Sequence, residues 1–220
     1  MGFFPIKPRR VAENAAAALL IATALLITPG LAPPASATAC PSAEVLFARG
    51  TDEPPGVGQV GQAFISSLRR QSLFKTIGAY AVKYPANRDF MASTQGANDA
   101  SDHIQRMAKV CPRTKLVLGG YSQGAAVMDI VAAAPMAGLG FTRPLPAQAA
   151  RHVAAVALFG NPTNRTPRLI GAINPDFKSK IIDVCNPGDP ICSGGIEWNA
   201  HVSYVPDWTT RAARVVARRI

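Results

Sequence analysis

An α/β fold, a parallel sheet with helices on both faces, is predicted by three observations in this 220-residue chain. Short runs rich in valine, leucine and isoleucine recur along it, as strands buried on both faces require. These runs alternate with longer segments of helical periodicity, the order expected when each strand is followed by a crossover helix. One run, Lys115 to Gly119, passes through Gly120-Tyr121-Ser122-Gln123-Gly124 into helical Ala125 to Val131. Strand, Gly-x-Ser-x-Gly turn and helix is the local structure that exposes a nucleophilic serine at the carboxyl edge of such a sheet.

The first 37 residues read as an address. Lys7, Arg9 and Arg10 precede an apolar stretch, Ala15 to Ile27, that is short for a bilayer span. Pro29, Gly30, Pro33 and Pro34 break it, and Ala35-Ser36-Ala37 supplies small residues for signal peptidase. Cleavage is expected after Ala37, with Ala39 as a second site. Cys40 would be a lipidation site, but the leucine such sites carry three residues earlier is absent. Val11-Ala12-Glu13 after the arginine pair does not continue a twin-arginine signal, so the general secretory route is expected. The organisation is then a leader over 1–37 and one domain over 38–220, secreted and able to associate with the cell wall. A mature chain of about 180 residues is long enough for one core.

Within that domain the expected strands are Glu44 to Ala48, Ala79 to Lys83, Lys115 to Gly119, Val153 to Phe159 and Lys180 to Cys185. The expected helices are Gly58 to Gln71, Ser93 to Val110, Gln123 to Ala133 and Thr209 to Arg219. The stretch 134–148 contains Pro135, Pro144 and Pro146 and reads as loop.

In open α/β sheets the site lies beyond the carboxyl ends of the strands, and that rule sorts the catalytic candidates. Of three histidines, His152 precedes a strand and lies at the wrong end. His103 sits mid-helix, expected to face solvent or pack locally, and precedes the serine in a class whose order is Ser, Asp, His. His201 remains, in the loop after the last strand. Among the acids, Asp129 lies two turns into the helix after Ser122 and points away, Asp183 is inside a strand and Asp176 precedes it. Asp189 follows the last strand; Glu197 is the runner-up, four residues before His201. Ser122, His201 and Asp189 are thus the expected nucleophile, base and orienting acid.

Export permits disulfides. Cys40, Cys111, Cys185 and Cys192 allow three pairings. Cys185 and Cys192 bracket a short Pro/Gly loop that their pairing would close, leaving Cys40 for Cys111. A zinc site fits poorly, because no spacing matches a CxxC pattern, so no metal is expected. The net charge of +10 stays positive without the leader. No basic run is interleaved with aromatics, and Arg211, Arg214, Arg218 and Arg219 are spaced as one solvated helix face. Nucleic acid is therefore excluded as a partner, and an anionic envelope or lipid surface is the fitting use of the charge.

These residues together resemble the cutinase family of serine esterases, most of all the secreted cutinase-like proteins of mycobacteria and related actinobacteria. Pro112 through Gly124 is similar to that family's nucleophile segment. Cys185-Asn186-Pro187-Gly188-Asp189-Pro190-Ile191-Cys192-Ser193-Gly194-Gly195 with His201 is similar to its acid-and-base segment, and Ala48-Arg49-Gly50-Thr51-Asp52-Glu53 to its early motif. The resemblance implies a compact α/β-hydrolase, a three-layer sandwich on a five-stranded parallel sheet with no large lid. It implies the triad Ser122, Asp189 and His201, an oxyanion hole from the Thr51 and Gln123 N–H groups, and disulfides Cys40–Cys111 and Cys185–Cys192. It implies an acyl groove shaped by the loops carrying Tyr84, Phe90, Ile196 and Trp198.

Trp198 stands where family members usually carry an aliphatic residue, with Glu197 and Asn199 beside it. That departure points to ester substrates with short to medium acyl chains, lipids included, rather than cutin. No cofactor is needed, and a monomer is expected. The competing readings are an acetylxylan esterase-type deacetylase and a non-catalytic envelope or host-contact protein with a vestigial site.

Overall fold

The computed structural model describes residues 1–2, 40–133, 137–138, 140–165 and 174–220. The leader and its cleavage sites therefore lie outside the described residues, as does part of the proline-rich stretch 134–148.

Five strands, β1 (Ala43–Ala48), β2 (Ile77–Ala81), β3 (Lys115–Tyr121), β4 (Val153–Phe159) and β5 (Ile181–Val184), form one sheet in the order β2-β1-β3-β4-β5. Every neighbouring pair is parallel. The helices are α1 (Gly58–Gln71), α2 (Ser93–Val110), α3 (Gln123–Ala133), α4 (Ala147–Ala150), α5 (Pro175–Lys178), α6 (Trp198–Val202) and α7 (Asp207–Ala217).

Alternation along β1 shows how the layers form. Val45 and Phe47 face one side, with Phe64, Ile65 and Leu68 of α1 and Ala212, Ala213 and Val216 of α7. Leu46 and Ala48 face the other, with Ala97, Ala100 and Ile104 of α2 and Val127, Met128 and Val131 of α3. On α1 and α7 the buried positions recur at helical spacing, so one stripe packs and the other is solvated. Helix α3 is apolar on most of its surface and is correspondingly buried. Phe47, Phe64 and Phe159 meet with ring centroids 5.7–6.4 Å apart. Each such buried ring contributes roughly 1.5–3 kcal/mol relative to exposure.

The sequence expectation holds for α1, α2, α3 and β4 to the residue. Strand β2 begins two residues earlier than expected, at Ile77, and α7 spans Asp207–Ala217 rather than 209–219. His201, expected in a loop, lies in the short helix α6. Both disulfides form, Cys40–Cys111 across 71 residues and Cys185–Cys192 across 7. By loop-closure entropy the first restrains the unfolded chain by roughly 4 kcal/mol and the second by roughly 2.5 kcal/mol.

The strand order reverses at β1, because β2 is laid on one side of it and β3 on the other. The crevice between the carboxyl ends of β1 and β3 is the topological switch point, where ligands bind in this architecture. Thr51 leaves β1 there and Ser122 leaves β3.

Candidate active site

The turn from β3 to α3 explains why its flanking residues are glycines. A Cβ on Gly120 would sit 2.1 Å from the Gly124 carbonyl oxygen, and one on Gly124 would sit 2.0 Å from that of Ala48. Between them Ser122 adopts a φ of 53°, a left-handed conformation that costs a non-glycine residue roughly 1–3 kcal/mol. Its N–H donates to Phe159 O at 2.9 Å, and its carbonyl accepts from Ala125 N at 2.9 Å. The hydroxyl is thereby fixed at the amino end of α3, the positive end of the helix dipole.

His201 reaches it from α6. Its Nε2 lies 3.0 Å from Ser122 Oγ and its Nδ1 lies 2.8 Å from Asp189 Oδ2. The His201 ring is buried between Tyr121 and Trp198, with centroids 5.2 and 5.0 Å away. The Tyr121 hydroxyl donates to the His201 carbonyl at 2.8 Å. A Cβ on Gly160, after β4, would come within 3.0 Å of His201 Cε1 and 3.2 Å of Asp189 Oδ2, so a side chain here would press on both groups, and the φ of 58° also favours glycine.

Asp189 is fully buried on the Cys185–Cys192 loop. Oδ2 also accepts from the Tyr204 hydroxyl at 2.6 Å, and Oδ1 accepts from Ile191 N at 2.7 Å. Burial alone would raise its pKa, but the bonds from Tyr204, His201 and the Ile191 N–H together outweigh that and hold the carboxyl below its ordinary value. Tyr204 in turn accepts from Asn186 N at 3.0 Å, and Asn186 Nδ2 donates to Ala200 O at 2.8 Å. Burial first, and the Asp189 carboxylate second to it, push the Tyr204 phenol well above its usual value, so it remains a donor.

Tyr204, Asn186, Tyr121 and Gly160 were not singled out from sequence. An aromatic three residues after a histidine reads as core, and only coordinates show where its hydroxyl ends.

The Thr51 loop is braced from beneath. Buried Arg49 donates to the carbonyls of Glu53 (2.7 Å), Tyr84 (2.9 Å) and Pro85 (3.2 Å). The Glu53 carboxylate accepts from the N–H groups of Gly50 and Gln59. Thr51 Oγ1 donates to Gln123 Oε1 at 3.2 Å, and Gln123 Nε2 donates to Asn87 O at 3.0 Å. The side chains of Thr51 and of Gln123, the first residue of α3, are thus tied to each other.

A cleft of about 520 Å³ opens onto Ser122 and His201, lined also by Thr51, Phe90, Tyr121, Ile191, Trp198 and Val202. Phe90, Trp198 and Val202 are each more than half exposed and give it an apolar rim. Two expected groove residues lie elsewhere. Tyr84 is buried, its ring under the Arg49 guanidinium and its hydroxyl donating to Arg49 O, because it braces the loop instead of lining the cleft. Ile196 is 88% exposed and outside the cleft lining.

The remaining candidates have other partners. His103 is buried, with Nε2 2.7 Å from Glu44 and its ring stacked on Tyr80. His152 is at the opposite edge of the sheet, Glu197 is exposed at the start of α6, and Asp176 is in the first turn of α5. Asp129 is buried against Asn161 and Thr163. Among the described residues no group of three or more His, Cys, Asp or Glu side chains could hold a metal ion.

A five-stranded parallel sheet with a serine on a strained strand-to-helix turn, a histidine against it and a carboxylate behind defines an α/β-hydrolase, here a carboxylic ester hydrolase. The chain belongs to the cutinase family, whose model matches residues 39–220. It is 64% identical over 212 residues to the phospholipase Culp4 of Mycobacterium tuberculosis, covering 96% of this chain and 92% of that protein. It is 42% identical over 221 residues to the carboxylesterase Culp1 of Mycobacterium bovis, covering 97% of each. Among solved structures, the catalytic core of acetyl xylan esterase from Trichoderma reesei superposes with a TM-score of 0.71 at 26% identity, covering 82% of this chain and all of that one. A Trichoderma reesei cutinase bound to a phosphonate inhibitor gives 0.66 at 35% identity, covering 81% of this chain and 76% of that one.

Proposed function

We propose that this protein is an exported serine esterase in which Ser122 is the nucleophile, His201 the general base and acid, and Asp189 the group that orients and stabilises the imidazolium. The reading rests above all on one observation: an unbroken hydrogen-bond chain from Ser122 Oγ through both His201 nitrogens to Asp189.

Neutral His201 takes the Ser122 proton through Nε2 as Oγ attacks the ester carbonyl. The negative charge that develops on the carbonyl oxygen is received by the N–H groups of Thr51 and Gln123, at the amino end of α3. Collapse of the tetrahedral species expels the alcohol, which takes its proton from His201 and leaves Ser122 acylated. Water, deprotonated by the same imidazole, then releases the acid and restores the serine. The low pKa of Asp189 keeps the carboxylate ionised throughout, so it acts by charge and orientation and not as a proton carrier. Turnover requires neutral His201 and falls on the acid side.

The apolar rim of Phe90, Trp198 and Val202 suits an acyl chain. The phospholipase and carboxylesterase relatives support carboxylic esters as substrates, phospholipids among them, and we take acyl chains of short to medium length as the fitting range for the cleft. The acetyl xylan esterase likeness supports a deacetylase, but a small acetyl group would leave that rim unused. A vestigial site is disfavoured, because the strain at Ser122 has no purpose without the chemistry. Export fits the two disulfides and a family match that begins at residue 39, after the leader.

Kinetics on p-nitrophenyl esters of two to sixteen carbons, with acetylated xylan alongside, test this reading. Ser122→Ala is expected to lower p-nitrophenyl butyrate turnover by roughly 10³-fold or more, with the fold unchanged by circular dichroism. Undiminished turnover would exclude this serine.

A further inference from the structure

The edge of the sheet opposite the cleft, where β3 and β4 begin, carries two adjoining depressions. One, of about 360 Å³, is lined by Pro112, Arg113, Thr114, Lys115, Arg151 and His152. The other, of about 190 Å³, runs between α2 and α4 and includes Lys109; His152 borders both. No carboxylate lines either one.

Among the described residues unpaired cations also occur elsewhere, Arg70, Lys178, Arg214 and Arg218 among them, but those line neither depression; here the unpaired cations line the two. Arg49, Arg69, Arg88, Lys180 and Arg219 all donate to a carbonyl or a carboxylate. Among the described residues the side chains of Lys109, Arg113, Lys115 and Arg151 make no hydrogen bond or ion pair. Like charges gathered without a counter-ion repel one another, and the local fold explains only part of the gathering. Lys109 lies in the last turn of α2, where the helix dipole favours a cation. Arg113 sits in a turn, and Arg151 follows a helix of four residues. Lys115 opens a central strand, so it does not guard a sheet edge.

Two guanidinium forks and two ammonium groups around a groove match phosphate oxygens. A single ion would need only one depression. His152 lines both depressions, so their cations lie along one stretch of surface, which suits a chain with an anionic group on each unit. We propose that this groove binds a linear polyphosphate-type anion, a flexible chain of linked phosphate groups, at a site separate from the catalytic cleft. Lys115 and Tyr121 are the first and last residues of β3, so groove and cleft are roughly 20 Å apart at opposite ends of the sheet. A molecule held by this groove keeps its cleft free for substrate.

The test measures binding of fluorescently labelled polyphosphate to the purified protein with both disulfides intact, over a range of salt. The double variant Arg113→Glu/Arg151→Glu is expected to lose affinity by about tenfold or more and to show a shallower salt dependence. Its p-nitrophenyl butyrate turnover should stay at the parent level, which also reports that it has folded. The control pair Arg211→Glu/Arg214→Glu changes net charge equally on the exposed face of α7 and is expected to keep most of the affinity. Equal loss in both pairs would make the attraction one of net charge alone and overturn the proposal. So would binding to phosphatidylglycerol vesicles without binding to soluble polyphosphate.

Discussion

Two aspartates near the carboxyl end of β4 are both almost inaccessible, yet their surroundings drive them in opposite directions. Asp189 has donors on both oxygens, from Ile191, Tyr204 and His201, and its pKa is held down. Asp129 receives Asn161 and Thr163 on Oδ2, while its Oδ1 finds no hydrogen-bond partner among the described residues. Burial raises its pKa to about 7, with the neighbouring Asp183 adding to the rise and the two hydrogen bonds only partly offsetting it. Burial disfavours the anion in both pockets, and the supply of donors decides the outcome. One carboxyl is set to remain an anion beside an imidazole; the other is set to hold a proton up to neutrality.

The sharpest way to break the comparison is to neutralise the first pocket. Asp189→Asn is expected to lower kcat by about 10⁴-fold, because an amide carries no charge to balance the imidazolium and can hold the ring in the wrong tautomer. Steady-state kinetics on a soluble ester check this, and a loss under tenfold would show that the carboxylate is dispensable.

Neutralising the second pocket should act on stability instead. The folded pKa of Asp129 lies above its unfolded value, so the stabilisation is full below about pH 4 and is lost as pH rises through about 7. Across that window the loss amounts to about 4 kcal/mol. Asp129→Asn mimics the protonated form and should flatten it, so urea denaturation at pH 5 and pH 8 should differ less in the variant than in the parent. An unchanged pH dependence would contradict the assignment.

A smaller change sharpens the difference. Tyr204→Phe removes one donor from Asp189 and leaves Asn186 N–H without its acceptor, costing about 1–3 kcal/mol of stability. A less well solvated carboxylate attracts the imidazolium proton more strongly, so the acid limb of the kcat/KM profile should move to higher pH. Lost stability with an unmoved profile would make Tyr204 a packing residue only.

Periodicity made most of the fold legible. Helices of 11 to 18 residues such as α1, α2 and α3 carry enough turns for their limits to be read, and β4 is an unbroken apolar run. The start of β2 was hidden by Gly78 after Ile77, which reads as a break. Its expected end was not arbitrary, because Val82 N still bonds to Phe47 O beyond the assigned strand. Helix α6 spans five residues, too few for a pattern.

At the site, chain order and the strand-end rule singled out Ser122, Asp189 and His201, which the fold brings within hydrogen-bond distance. They said nothing of Tyr204 or Asn186, whose positions depend on how the disulfide loop folds back on α6. The family resemblance assigns Tyr84 to the groove, but in sequence a loop aromatic near a cleft is indistinguishable from one that turns inward to hold an arginine.

The central claim is that Ser122 is an activated nucleophile, and labelling by a fluorophosphonate tests it most directly. Mass spectrometry of the folded, disulfide-bonded protein should find one adduct, on the peptide containing Ser122, with His201→Ala slowing its formation by about 10³-fold or more. An unlabelled protein, or an adduct on another residue, would contradict the account.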